Sequence, residues 1–150
     1  MPRKLYLPDK YRVVLGSGRA GFCTVWSDPD IVLLQSPDIT ASAAIVGTLY
    51  SREGVNVILR NLALNPDISH LFLWGNAPLS LTPFGLAGKN ILAALWDKGC
   101  DADGKVSGTS FAMRSMSLLT IPNTRPTSRI TPRACNFPKV IICATESLPY

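Results

Sequence analysis

The stretch that decides the fold runs from Ile39 to Gly99: ITASAAIVGTLYS (39–51), REGVNVILRNLALNP (52–66), ISHLFLWG (68–75), NAPLSLTPFG (76–85) and LAGKNILAALWDKG (86–99). Its patterns read helix, helix, strand, loop, helix. In the second piece Val55, Ile58, Leu59 and Leu62 fall at i, i+3, i+4 and i+7, one apolar face of a helix. Ser51 is a suitable N-cap, Glu53 sits in the first turn, and Asn65-Pro66-Asp67 ends the helix. Ile68 to Trp74 is the strongest strand in the chain, and Gly99 closes the last helix. A strand between helices makes an α/β layer, and the loop leaving its carboxyl end is where open sheets usually place ligands.

The first piece is read through its small residues. Ala41, Ala43, Ala44 and Gly47 run at helical spacing beside Ile45, Val46 and Leu49, predicting a helix that packs closely on a sheet or a cofactor. Gly47 and Thr48 at its end are candidate ligand contacts. The loop from Gly75 to Gly85 supplies three more, Asn76, Ser80 and Thr82, on a backbone stiffened by Pro78 and Pro83. Thr82-Pro83 reads as an N-cap followed by proline at the first helical position. These five residues are the candidate cofactor-binding set, with the cofactor itself unidentified.

Upstream, Tyr11 to Leu15 and Phe22 to Trp26 are β-type runs separated by GSGRAG. Gly16, Gly18 and Gly21 satisfy the dinucleotide spacing G-x-G-x-x-G. That loop must open a helix, however, and FCTVW is rich in β-formers, so a glycine-rich hairpin or strand connection is the expectation. Asp28-Pro29-Asp30 reads as a turn that caps backbone amides, and Ile31 to Leu34 as a strand covered on both faces.

Downstream, DADGKVSG reads as a turn and a short edge strand, and Phe111 to Ile121 as a last helix or strand. Four prolines in the 19 residues from 121 to 139 predict an extended or disordered segment. VIICA within the last thirteen residues could add a short strand. The expectation is an α/β, Rossmann-like layered domain over residues 1–121, with a mostly parallel sheet, followed by an irregular basic tail over 122–150.

Charge and composition narrow the function classes. The 150 residues carry a formal +5. Residues 1–104 hold nine Lys/Arg and nine Asp/Glu, so the whole excess lies in 105–150, six against Glu146 alone. Arg125, Arg129 and Arg133 repeat every fourth residue, but interleaved prolines forbid the helix that would align them. No aromatics stand between them, and nucleic acid is disfavoured as a partner. No apolar run approaches the roughly 20 residues of a membrane span, and a secretory signal is absent, so a cytoplasmic protein without membrane contact is expected.

Four cysteines, Cys23, Cys100, Cys135 and Cys143, form no CxxC pair, and His70 is the single histidine; no metal site is expected. His70 has no carboxylate or thiol at a spacing that assigns it a partner, and no catalytic residue is assigned. An enzyme would need Ser80 or Cys100 as nucleophile with a carboxylate or lysine as base, and that question stays open. A small-molecule ligand or a partner enzyme is the expected partner. A homo-oligomer is compatible with the Gly/Ala-rich segment and with Trp26, Trp74 and Trp96.

The central segment SAAIVGTLYSREGVNVILRNLALNPDISHLFLWG, with ILAALWDKG after the loop, resembles the cytoplasmic corrinoid-binding domain of the tetrahydromethanopterin S-methyltransferase family. It is also similar to the related domain attached to some thymidylate-synthase-like proteins. The resemblance covers Tyr11 to Gly108 and rests on Ala44 to Thr48, Arg60 to Ile68, Gly75, and Leu95 to Gly99. It implies a Rossmann-like binding or accessory domain linked to one-carbon or thymidylate metabolism, with a corrinoid as the family's cofactor. The family's loop histidine would fall at Thr82 to Leu86, where this chain has none, and the family's membrane anchor has no counterpart here. A corrinoid-binding methyl-transfer domain without that ligand, and a nucleic-acid-associated protein using the basic tail, are the alternatives to a non-catalytic accessory domain.

Overall fold

The computed structural model describes residues 2–74, 86–101, 103–112 and 139–142. Nine elements follow in order: β1 (Val13–Leu15), β2 (Ala20–Cys23), α1 (Pro29–Gln35), α2 (Pro37–Ser42), β3 (Ala43–Gly47), α3 (Arg52–Leu64), β4 (His70–Leu73), α4 (Ala87–Lys98) and β5 (Lys139–Ile142). The five strands form one sheet in the order β1-β3-β2-β4-β5. β1 lies antiparallel on β3 at one edge, and the other four strands are parallel. The chain is therefore a small α/β domain with a largely parallel sheet, consistent with a generic Rossmann-like arrangement.

Register sorts the side chains between faces. Gly21 stands beside Ile45 and Leu71, and Cys23 beside Gly47 and Leu73; alternation puts all six on one face. That face meets Val55, Leu59 and Leu62 of α3 and Ile91, Leu92, Leu95 and Trp96 of α4 in a single buried cluster. No residue of α1 or α2 belongs to this cluster. On the opposite face Phe22 and Phe72 stack with ring centroids 4.9 Å apart.

Several predicted elements form as read. Ser51 caps α3, its Oγ accepting from the Gly54 N–H at 3.1 Å, and Asn65 is the C-cap. Gly99 ends α4 with φ 74°, its N–H donating to the Leu95 carbonyl. VIICA supplies most of β5.

Two elements differ. The small-residue piece predicted as one helix breaks into the short α2 and the strand β3. The spacing of Ala41, Ala43, Ala44 and Gly47 fits either period, and burial decides: Ala43, Ala44 and Val46 are buried in a strand with neighbours on both edges. Small and β-branched residues suit a strand covered on both sides.

Ile31 to Leu34 forms helix α1, not a strand. Asp28 Oδ1 accepts from the Asp30 N–H at 2.9 Å, Pro29 is buried at the first turn, and Ile31 and Leu34 stand 54% and 82% exposed. The apolar run is thus a partly solvated helix begun by a cap and a proline. The described part of α4 begins at Ala87 with Leu86 before it, and Thr82-Pro83, read as its cap, lies outside the described residues. Phe111 to Ile121 and the tail over 122–150 lie outside the described residues beyond Phe111, Ala112 and β5.

The GSGRAG segment is a strand connection, because β1 and β2 do not pair but flank β3. Gly16 and Gly18 donate their N–H groups to the Ala44 and Ala43 carbonyls at 3.0 and 2.8 Å. A Cβ on Gly18 would lie 2.0 Å from the Ser42 carbonyl oxygen. The glycines are required by this close backbone approach, and the residue after them enters a strand, as the dinucleotide reading does not allow.

Candidate functional site

A cavity of about 110 Å³ lies between α3 and the β1–β3–β2 part of the sheet. Its origin is visible in the sequence of its walls. Gly21 and Gly47 share the sheet face toward α3, and Gly54 lies in the first turn of that helix; all three line the cavity. A Cβ at Gly21, Gly47 or Gly54 would meet Leu71 Cδ1 at 2.9 Å, Val13 Cγ1 at 3.0 Å or Leu49 Cδ1 at 3.1 Å, so these glycines serve close packing at the wall, and the remaining walls, among them Val13, Ile45, Val57 and Ile58, leave the space unfilled.

The amino-terminal segment closes one side. Tyr6 N–H donates to Asn61 Oδ1 at 2.8 Å, and the Arg60 guanidinium lies 4.3 Å from the Tyr6 ring centroid. Asn65, almost fully buried, accepts from Lys4 N–H at 3.1 Å and donates back to the Lys4 carbonyl at 2.7 Å. Arg3 pairs with Asp67 at 2.6 Å. Residues 3–6 are thereby fastened along α3, and the chain then delivers Tyr11 and Arg12 to the cavity wall.

Polar groups gather where β3 ends. Thr48, Tyr50, Ser51 and Arg12 line the cavity there, while Asn61 lines it from the other end of α3, beside Tyr6 and Asn65. Arg12 is exposed and forms an ion pair with Asp30 of α1. It is the one cation among the described lining residues, and no carboxylate stands among them.

The turn after β2 buttresses this edge. Thr24, fully buried, donates its N–H to the Gly47 carbonyl at 2.8 Å and its Oγ1 to the Ser27 carbonyl at 2.6 Å. Leu49 N–H donates to the Val25 carbonyl at 3.0 Å. Between them Val25 adopts φ 55°, a left-handed conformation that a β-branched residue enters only at a cost. The turn brings Trp26 against Tyr50, with ring centroids 4.5 Å apart. Tyr50 is thus both cavity wall and half of an aromatic stack.

Of the five residues nominated from sequence, Gly47 and Thr48 line this cavity. Asn76, Ser80 and Thr82 lie outside the described residues, as does the whole loop from 75 to 85. Tyr11, Arg12, Tyr50, Val57 and Asn61 were not singled out by sequence reasoning. The available signal was glycine inside strands and in the first turn of a helix, which marks either close backbone approach or missing volume.

His70 stands at the amino end of β4, exposed, with Nδ1 2.9 Å from Ser69 Oγ. The parallel strands put it at the end of the sheet opposite the Gly47–Ser51 region. Burial pushes the Cys23 thiol up to about 12, and Cys100 is fully buried. Cys23 is therefore no thiolate ready for nucleophilic attack. Among the described residues no group of three His, Cys, Asp or Glu gathers to hold a metal ion, and no helix is long and apolar enough to cross a membrane.

No family model matches the chain, and no curated protein matches it.

Proposed function

We propose that this chain is a non-catalytic α/β binding domain whose ligand is a small molecule with an apolar body, held between α3 and the β3 end of the sheet. The observation that carries this reading is the cavity itself. Three glycines present backbone at its wall, and hydroxyl and amide groups stand on only part of it. An engineered apolar cavity of about 150 Å³ takes up benzene, so about 110 Å³ suits a body of roughly four or five carbons. Ligand pockets characteristically combine apolar walls with a few polar groups that fix orientation.

The buried thiols and the remote His70 favour binding over catalysis. A corrinoid does not fit this cavity, because its macrocycle is several times larger, and His70 is at the wrong end of the sheet to ligate a group bound here. A link to one-carbon or thymidylate metabolism would then run through a partner enzyme that uses the bound ligand.

The test is a titration with 3-methylbutan-1-ol followed in two-dimensional ¹H–¹⁵N spectra. Saturable shifts are expected in the amides of Gly47, Thr48, Gly54 and Asn61, and they are expected to vanish in Val57→Phe, whose ring fills the space. Shifts that are absent, or that persist unchanged in Val57→Phe, would refute the reading.

A further inference from the structure

We infer that the ligand is an uncharged short-chain carbonyl compound, its hydrocarbon body in the cavity and its oxygen accepting from Nδ2 of Asn61. This rests on the binding reading above and names the ligand class for the same site. Three observations carry it.

The first is the position of Asn61. Gly54, Val57, Ile58, Asn61 and Leu62 of α3 all line the cavity, at i, i+3, i+4, i+7 and i+8, which is one face of a helix. An amide thus takes a hydrocarbon position on the stripe that α3 turns toward the sheet. Ile68 and Leu71, which also line the cavity, keep the surroundings apolar.

The second is how that amide is held. Its Oδ1 accepts from Tyr6 N–H at 2.8 Å, and its backbone carbonyl accepts from Asn65 Nδ2 at 2.8 Å. A backbone N–H can meet only the oxygen of a carboxamide, so the planar group is fixed with its NH2 on the other branch. Asn61 is half-buried, and among the described residues that NH2 has no hydrogen-bond partner. A carbonyl oxygen accepts and has nothing to donate, which matches a side chain whose own oxygen already serves Tyr6.

The third is the absence of charge on this face of the sheet. Arg12 is the one charged residue among the described lining residues, and its side chain belongs to the other face. Val13 pairs with Gly47, and Val13 Cγ1 lies 3.0 Å from where a Gly47 Cβ would stand, so Val13 faces α3. Alternation sends Arg12 the other way, to its ion pair with Asp30 of α1. Lys10 and Arg60 stand over the Tyr11 and Tyr6 rings, and neither lines the cavity. An ionised ligand would shed water here without gaining a counter-charge, whereas a neutral one with an acceptor oxygen loses little.

The experiment titrates the whole chain at neutral pH with three compounds of one shape: 3-methylbutan-2-one, 2-methylpropanoate and the ammonium form of 3-methylbutan-2-amine. Kd is read from the amides of Gly47, Thr48 and Gly54. The ketone is expected to bind about 10-fold more tightly than either ion, a modest share of the cost of stripping an unpaired charge. Asn61→Asp keeps an oxygen for Tyr6 N–H and puts a charged acceptor where the NH2 stood. It is expected to weaken the ketone about 5-fold, the worth of one hydrogen bond, and to strengthen the ammonium ion about 5- to 20-fold. Hydrogen exchange at the Tyr6 amide is expected to stay unchanged, which separates this swap from a loosening of the amino-terminal segment. A ketone bound no better than the ions would overturn the assignment. So would an Asn61→Asp chain that weakens all three compounds alike, the result a purely structural Asn61 requires. In either case saturable shifts with 3-methylbutan-1-ol would leave the cavity reading standing, and without them both fall.

Discussion

Gly18→Ala is the sharpest test of how the amino-terminal third is assembled. The new methyl carbon would lie 2.0 Å from the Ser42 carbonyl oxygen, 2.2 Å from its carbon and 2.8 Å from the Ala43 nitrogen. Carbon–oxygen contacts settle near 3.3 Å or more, so the backbones must part by more than about an ångström. Gly18 N–H to Ala43 O at 2.8 Å cannot survive that displacement, and Gly16 N–H to Ala44 O at 3.0 Å is strained with it. Losing up to two such bonds costs about 1 kcal/mol each, and forced overpacking adds about 1–3 kcal/mol. The expected loss is about 3–5 kcal/mol, against about 5–15 kcal/mol for the stability of a whole domain. Gly21→Ala is the control, because its methyl would meet only the tip of Leu71, at 2.9 Å, within a side chain that can rotate. Urea unfolding followed by circular dichroism should put the Gly18→Ala midpoint more than about 1 M below that of Gly21→Ala, given slopes of about 1–3 kcal/mol per molar. Equal midpoints would refute the reading of GSGRAG as a structural seam and reopen a loop that accommodates a ligand.

Three further outcomes follow from side chains with defined surroundings. Burial raises the Cys23 thiol from 9.0 to about 12, so the folded chain keeps the proton that the unfolded chain releases. Its contribution to stability is complete below pH 9 and is lost as pH rises toward 12, at about 1.4 kcal/mol per pH unit; Cys23→Ala should show a shallower alkaline decline in urea titrations, and parallel declines would contradict this. The Arg3 guanidinium hydrogen-bonded to Asp67 holds that carboxyl below its usual value of 3.8, so its contribution is present above that pH and is lost as pH falls through the lowered value. Carboxyl ¹³C titration should show the Asp67 midpoint rising in Arg3→Gln, and an unmoved midpoint would dismiss the pairing. Asn65→Ala removes a buried amide that bonds both backbone groups of Lys4 and should cost about 2–3 kcal/mol, with faster hydrogen exchange at Lys4; unchanged exchange there would count against the fastening of the amino-terminal segment.

The sequence was most legible where one period dominates. Val55, Ile58, Leu59 and Leu62 repeat only as a helix, and Ser51 and Asn65 mark its ends by chemistry that does not depend on the rest of the chain. It was least legible where tertiary surroundings choose between periods. Ala43–Gly47 became a strand because β1 and β2 offer it partners on both edges, a fact about residues twenty or more positions away. IVLL in α1 reads as a buried strand only if the exposure of Leu34 is unknown. The site was hidden for a related reason. A motif search looks for groups that are present, and this cavity is an absence, a space that its lining residues leave unfilled.

That absence has a thermodynamic meaning which ties the fold to the proposed role. A fully enclosed, unfilled volume costs about 24 cal/mol per Å³; this cavity opens to solvent and forgoes less than that for the same volume. Single substitutions at Val57 or Ile58 could recover part of it with commonplace residues, since cavity filling commonly gains about 0.5–2 kcal/mol. Val57→Phe should therefore raise the unfolding midpoint of the free chain in the same step that abolishes binding. The two effects together distinguish a space kept for a ligand from a mere packing defect. A defect would be filled with gain and nothing lost, whereas a site is filled at the expense of its function.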